Sequence, residues 1–218
     1  MGGKWLKSDS KMDGGSRVLI IPTGGTIGAN GYDCPRKPPT IVETLHDRES
    51  SNMMQGVIER SGVDFFDWEK HGKGKILVKD SKLFDKEDML TLFDIINESK
   101  DYNHFVITHG TDRMAENAAL FKKIFDKNGS DKNAVTAFTG SMVPLSMHGK
   151  SDEAGQSIVS DGIAALLYAT SNIDSKESGV YLVARHTHTR RLDFHNPENL
   201  QKDWLTSRED LSYTVHER

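Results

Sequence analysis

Hydrophobic and polar residues alternate along this chain in blocks of two kinds. Short runs of apolar or β-branched residues recur at Val18 to Pro22, Lys75 to Lys79, Phe105 to Thr108, Ala134 to Phe138 and Val180 to Ala184. Such continuous runs are the mark of strands covered on both faces. A weaker strand is expected near Val63 to Phe66. Between them lie helical periods. Lys86 to Ser99 places Met89, Leu90, Phe93 and Ile96 on one side, and Asp112 to Asp126 places Met114, Ala118, Phe121 and Phe125 at spacings of three and four. Gly162 to Thr170 is almost wholly apolar. Strands alternating with helices predict a three-layer αβα fold, an α/β domain with a mostly parallel sheet and right-handed crossovers.

The ends of the chain look different. Residues 1–16 are polar, glycine-dotted and aperiodic, which predicts a disordered tail, and residues 17–218 then form a single domain. With 218 residues and 36% hydrophobic content the chain can bury one substantial core. A formal net charge of -4 gives no general attraction to nucleic acid or to an anionic membrane, so small solutes or proteins are the expected partners. No apolar run approaches the roughly 20 residues that cross a bilayer. Cys34 is the single cysteine, so no internal disulfide is available, and the expected compartment is reducing and cytoplasmic. Cys34 has no local activating pattern, which argues against a catalytic thiol.

In a parallel sheet the ligand crevice lies at the carboxyl ends of the strands, so the residues that follow each strand carry the chemistry. Here they are Thr23-Gly24-Gly25-Thr26, Asp80-Ser81-Lys82, Thr108-His109-Gly110-Thr111-Asp112 and Thr139-Gly140-Ser141. Hydroxyls, glycines and acids thus converge on one edge. Any one turn of this kind is as well explained by helix capping or strand propensity; four at one edge are not. TGGT lacks both the Gly-Lys-Ser/Thr of a phosphate loop and the spacing of a dinucleotide fingerprint, which argues against a nucleotide site.

The motifs TGGTIG, THGTDRMAENAAL and TGSMVP, in that order, resemble the three N-terminal motifs of the bacterial-type L-asparaginase family, usually seen as TGGTIA, THGTDTMEETA and TGAMRP. KDSKLFDKEDML is similar to that family's substrate-binding segment. The resemblance runs from about Val18 to about Ala184 and is nearest to the small single-domain members. It implies a flavodoxin-like domain and an amidohydrolase that converts a small carboxamide, L-asparagine or a relative, to the acid and ammonia, with neither metal nor organic cofactor. By the resemblance Thr26 is the nucleophile, Tyr32 its assistant on the following loop, Thr111 an activator or water-positioner and Asp112 the binder of a substrate ammonium. Ser81 grips a carboxylate, and Gly25, Lys82, Gly110 and Ser141 complete the binding surface. A homo-oligomer, dimer or tetramer, is implied as well. A threonine hydroxyl needs a nearby base and oxyanion donors to attack an amide, and the departing ammonia needs a proton donor.

Two positions depart from the pattern. The family pairs GTD with a lysine; an ungapped alignment of GVYLVARHTHTRRLDFHN puts Asn196 there, and Lys82 and Lys150 are possible substitutes. Lys82 stands where a neutral residue is usual, and, unless Asp112 offsets it, its charge opposes the ammonium of an α-amino acid, favouring an anionic amide without one. These departures support a second reading, a catalytically weakened protein of this fold that binds an amino acid or a protein partner. A third, action on charged tRNA as in a related domain, conflicts with the acidic balance. Two Ser-Asp pairs, Ser151-Asp152 and Ser160-Asp161, both fit the family's position after its third motif. His186, His188 and His195 could line up on an extended segment, but Arg185, Arg190 and Arg191 surround them and no metal is assigned. His109 is read as structural.

Overall fold

In a computed structural model of the protein, the described residues are 17–25, 27, 62–72, 77, 79–129, 133–141, 143, 145, 148–149, 151, 155–157, 160–185 and 191–199. The tail expected at residues 1–16 lies outside them, as do Thr26, Tyr32, Cys34, Lys150, His186 and His188. The elements in chain order are β1 (Val18–Pro22), β2 (Val63–Phe65), α1 (Trp68–His71), α2 (Lys86–Glu98), β3 (His104–Thr108), α3 (Met114–Asn128), β4 (Val135–Thr139), α4 (Asp161–Asn172), β5 (Gly179–Arg185) and β6 (Leu192–His195).

The six strands form one sheet in the order β2-β1-β3-β4-β5-β6, parallel except for the final pair. The first five follow the 2-1-3-4-5 order of flavodoxin-like domains. β1 is buried at every residue because it is central and covered on both faces, which is why it reads as an unbroken apolar run. Period-two alternation splits its side chains between two cores. Leu19 and Ile21 join Phe105, Ile107 and Phe138 against Met89, Leu92 and Ile96 of α2 and Ala118 and Phe121 of α3. Val18 and Ile20 join Val106, Val135 and Ala137 against Leu166 and Ala169 of α4. Helices therefore cover both faces, as expected for three layers.

One expectation fails. From β2 through β3 and β4 to β5 the chain steps across the sheet in a single direction, yet α2 and α3 lie on one face and α4 on the other. The three crossovers cannot share one hand, so they are not uniformly right-handed. The odd crossover is the one through α4, whose Leu166 and Ala169 cover the sheet face that α2 and α3 leave bare.

Two further differences are local. Of Lys75 to Lys79 only Leu77 and Lys79 are described, and neither is in a strand; the Lys79 N–H instead donates to the Thr23 carbonyl at 3.2 Å. β6 was not expected. Its sequence LDFH is half-buried on an antiparallel edge, where apolar and polar residues alternate and no continuous run forms.

The amino-terminal edge of the sheet is fastened by a polar cluster. Arg17 donates to Asp64 at 2.8 Å and to the Tyr102 hydroxyl at 3.1 Å, and that hydroxyl donates to Asp64 at 3.1 Å. Burial first, and the Asp64 carboxylate second, push the Tyr102 phenol up to about 12.

Candidate functional site

β1 connects to β2 on one side and β3 lies on the other, so the chain diverges at the β1/β3 boundary and leaves a crevice at their carboxyl ends. The loops there are locked together main chain to main chain. The Thr23 N–H and hydroxyl both donate to the Thr108 carbonyl, at 3.2 and 2.5 Å. The His109 N–H reaches the Thr139 carbonyl at 2.8 Å. Gly25 has φ +82°, a left-handed conformation, and a β-carbon on it would lie 2.4 Å from the Gly110 Cα. A β-carbon on Gly110 would lie 2.7 Å from the Ser81 Cβ, and one on Gly140 2.5 Å from the His109 carbonyl oxygen. Gly25, Gly110 and Gly140 thus serve the approach of loop to loop.

His109 sits wholly buried beneath this junction. Its ring packs on Phe84, with centroids 4.7 Å apart, and on Phe138 at 6.0 Å. The Asn117 amide nitrogen lies 3.2 Å from His109 Nε2 and 3.1 Å from the Ser81 carbonyl. An amide nitrogen only donates, so Nε2 accepts and Nδ1 carries the proton toward the Gly110 carbonyl, 2.8 Å away. Burial pulls the imidazole down to about 4, which keeps it neutral. His109 is a structural brace between the turns that begin at Ser81 and Gly110, as the sequence reading had it.

Ser81–Leu83 and Thr111–Arg113 are single 3-10 turns standing side by side. Asp80 accepts the Lys82 N–H at 2.9 Å and starts the first. Lys82 Nζ then reaches across to Asp112 Oδ2 at 2.7 Å. Behind this pair Asp85 and Asp88 close a capping box at the start of α2, and Lys79 Nζ lies 2.5 Å from Asp88. Ser141, 1% exposed, donates its hydroxyl to the Val143 carbonyl at 2.8 Å. Ser160 donates to the same carbonyl at 2.7 Å, and Asp161 accepts the Val143 N–H at 3.0 Å. Among the described residues, Ser160 and Asp161 are thus bonded to the third motif's loop, and Asp152 of the other Ser-Asp pair lies outside the described residues. Ser151 is exposed and bridges to Ser157.

The structure brings Gly25, Ser81, Lys82, Gly110, Thr111, Asp112 and Ser141 to one edge, with Thr111 and Asp112 half-buried. Thr26 and Tyr32 lie outside the described residues, although Gly25 and Ile27 on either side of Thr26 are described and Ile27 is buried. Asn196 does not stand among the site residues. It is exposed beyond β6, which runs antiparallel away from the carboxyl edge, and its side chain caps the Glu198 N–H at 3.0 Å. His195 lies on β6 with Nε2 3.3 Å from the Ala184 carbonyl. Asn117, Ser160 and Asp161 were not singled out for these tasks. A polar residue at an inward helical position, as Asn117 is between Met114 and Phe121, was the available signal.

Sheet order and site together define a flavodoxin-like α/β protein whose hydroxyl-lined edge lies at the topological switch point. More narrowly, the chain belongs to the asparaginase family: the family model for "Asparaginase, N-terminal" matches residues 17–203. The fold is similar to that of the thermostable L-asparaginase from Thermococcus kodakarensis, with a TM-score of 0.52 and 23% identity over 76% of this chain and 43% of that one. It is similar also to L-asparaginase I from Vibrio cholerae, with a TM-score of 0.54 and 23% identity over 83% of this chain and 51% of the other. A probable cytoplasmic L-asparaginase from Campylobacter jejuni gives 0.55 and 19% over 84% and 59%. No curated protein matches the chain. The chain spans about half the length of these solved structures.

Proposed function

We propose that the chain is an asparaginase-like amidohydrolase that hydrolyses a small carboxamide, L-asparagine or a relative, to the acid and ammonia. The observation that carries this reading is the meeting of the first and second motifs, Gly25 seated on Gly110, at the switch point of the sheet. In the proposed reaction the Thr26 hydroxyl attacks the amide carbon and passes its proton to a base. The carbon–nitrogen bond breaks, the nitrogen leaves as ammonia after taking a proton, and water then cleaves the acyl ester to free acid and threonine. Thr111 positions the proton transfer, Tyr32 assists, and Ser81, Gly110 and Ser141 shape the loops around the substrate.

Ammonia release from L-asparagine and its close analogues tests this. Thr26→Ala should abolish turnover, at least a thousandfold, and Thr111→Val should lower kcat at least a hundredfold with the fold intact by circular dichroism. Equal activity in wild type and Thr26→Ala would sink the proposal. No helix among the described residues is long and apolar enough to cross a membrane. A cytoplasmic homo-oligomer acting without metal or organic cofactor is part of the same proposal.

A second reading has its own observations. Asn196 is exposed and engaged in capping, and Lys82 occupies Asp112. A weakened enzyme that binds an amino acid or a protein partner would show ligand-dependent thermal stabilisation without ammonia release.

A further inference from the structure

The Lys82–Asp112 pair places a cation directly on the half-buried carboxylate at the edge where the motif loops meet. Lys82 Nζ lies 2.7 Å from Asp112 Oδ2, with the lysine side chain 57% exposed and the aspartate 26%. The carboxylate is the more enclosed partner, and the cation is the more exposed one. Neighbouring carboxylates are also engaged: Asp80 with the Lys82 N–H, Asp88 with Lys79 and Asp161 with the Val143 N–H. A ligand bearing its own ammonium must therefore displace Lys82 from Asp112 or stand beside a like charge. A ligand bearing a carboxylate meets Lys82 with the favourable sign, and charge-assisted hydrogen bonds to an ammonium are among the stronger ones.

We infer that Lys82 makes this edge selective for dicarboxylates without an α-ammonium and for their mono-amides, in preference to α-amino acids. The inference names a substrate class and rests on the amidohydrolase reading for the reacting amide, whereas the binding preference itself requires no turnover. Lys82 is exposed and, among the described residues, its side chain pairs with Asp112, thirty positions away, so its exchange for glutamine leaves both cores untouched.

Calorimetric titration of the full chain with succinate and with L-aspartate supplies the test, alongside ammonia release from succinamate and L-asparagine. Wild type should bind succinate at least tenfold more tightly than L-aspartate. Lys82→Gln should shrink that ratio at least tenfold, and Lys82→Arg, which keeps the charge, should preserve most of it. Equal or tighter binding of L-aspartate by wild type, an unchanged ratio in Lys82→Gln, or binding of neither acid at millimolar concentration overturns the inference. Ammonia released faster from L-asparagine than from succinamate overturns it also and leaves the amidohydrolase reading standing. Succinate binding without ammonia from either amide does the reverse.

Discussion

Gly25 and Gly110 face one another with no room for a methyl group between them. A β-carbon on Gly110 meets the side chain of Ser81, a residue 2% exposed whose main-chain carbonyl is held by the Asn117 amide, so neither side can yield cheaply. Gly110→Ala is therefore expected to lower the unfolding free energy by about 2–4 kcal/mol, read from urea titrations. His109 gives a prediction with a pH axis. Its folded pKa of about 4 lies below the 6.5 of the unfolded chain, so between those values only the unfolded chain binds the proton. The stability due to the neutral ring is complete above about pH 6.5 and is lost as the pH falls toward 4, by about 3 kcal/mol in all. His109→Gln should be less stable at pH 7 yet lose less on acidification. Parallel pH profiles for the two proteins would refute the assignment.

At the scale of elements, α4 owes its start to the loop it holds. Ser160 both caps the helix through the Gly162 N–H at 3.2 Å and donates to the Val143 carbonyl at 2.7 Å. Ser160→Ala should thus cost about 1–2 kcal/mol by chemical denaturation, above what is common for a cap on an exposed helix. The sequence made most of these elements legible because burial leaves a period. β1, β3, β4 and β5 appear as apolar runs within a residue or two, and α2 and α4 start within a residue of expectation. α3 was expected from Asp112 and begins at Met114, since Thr111–Arg113 forms a tight 3-10 turn whose residues carry the same helical period. β6 escaped because Leu192 and Phe194 mark only half of a four-residue edge strand.

Across the whole molecule the two ends of the sheet do different work. The Arg17, Asp64 and Tyr102 cluster ties β1 and β2 to the turn before β3 at the amino-terminal edge, far along the strands from the loops that gather at the carboxyl edge. Tyr102→Phe is expected to lower stability by about 0.5–1 kcal/mol while succinate affinity stays within twofold of wild type. A tenfold loss of affinity would show that the edges are coupled. What sequence alone could not supply at this scale is pairing at a distance. Periodicity shows that a face is buried and not which helix buries it, so the opposite placement of α4 was unreadable. Motif order brought Ser81, Gly110 and Asp112 to one edge, but no local pattern joins Lys82 to Asp112 or Asn117 to His109.

The glycine seams carry a last consequence. Where Gly25, Gly110 and Gly140 press bare backbone on its neighbours, the crevice's foundation is made of peptide groups that every substitution elsewhere leaves in place. Exchanging Lys82 for glutamine would thus alter the charge above the crevice and leave the packed backbone beneath it as it is.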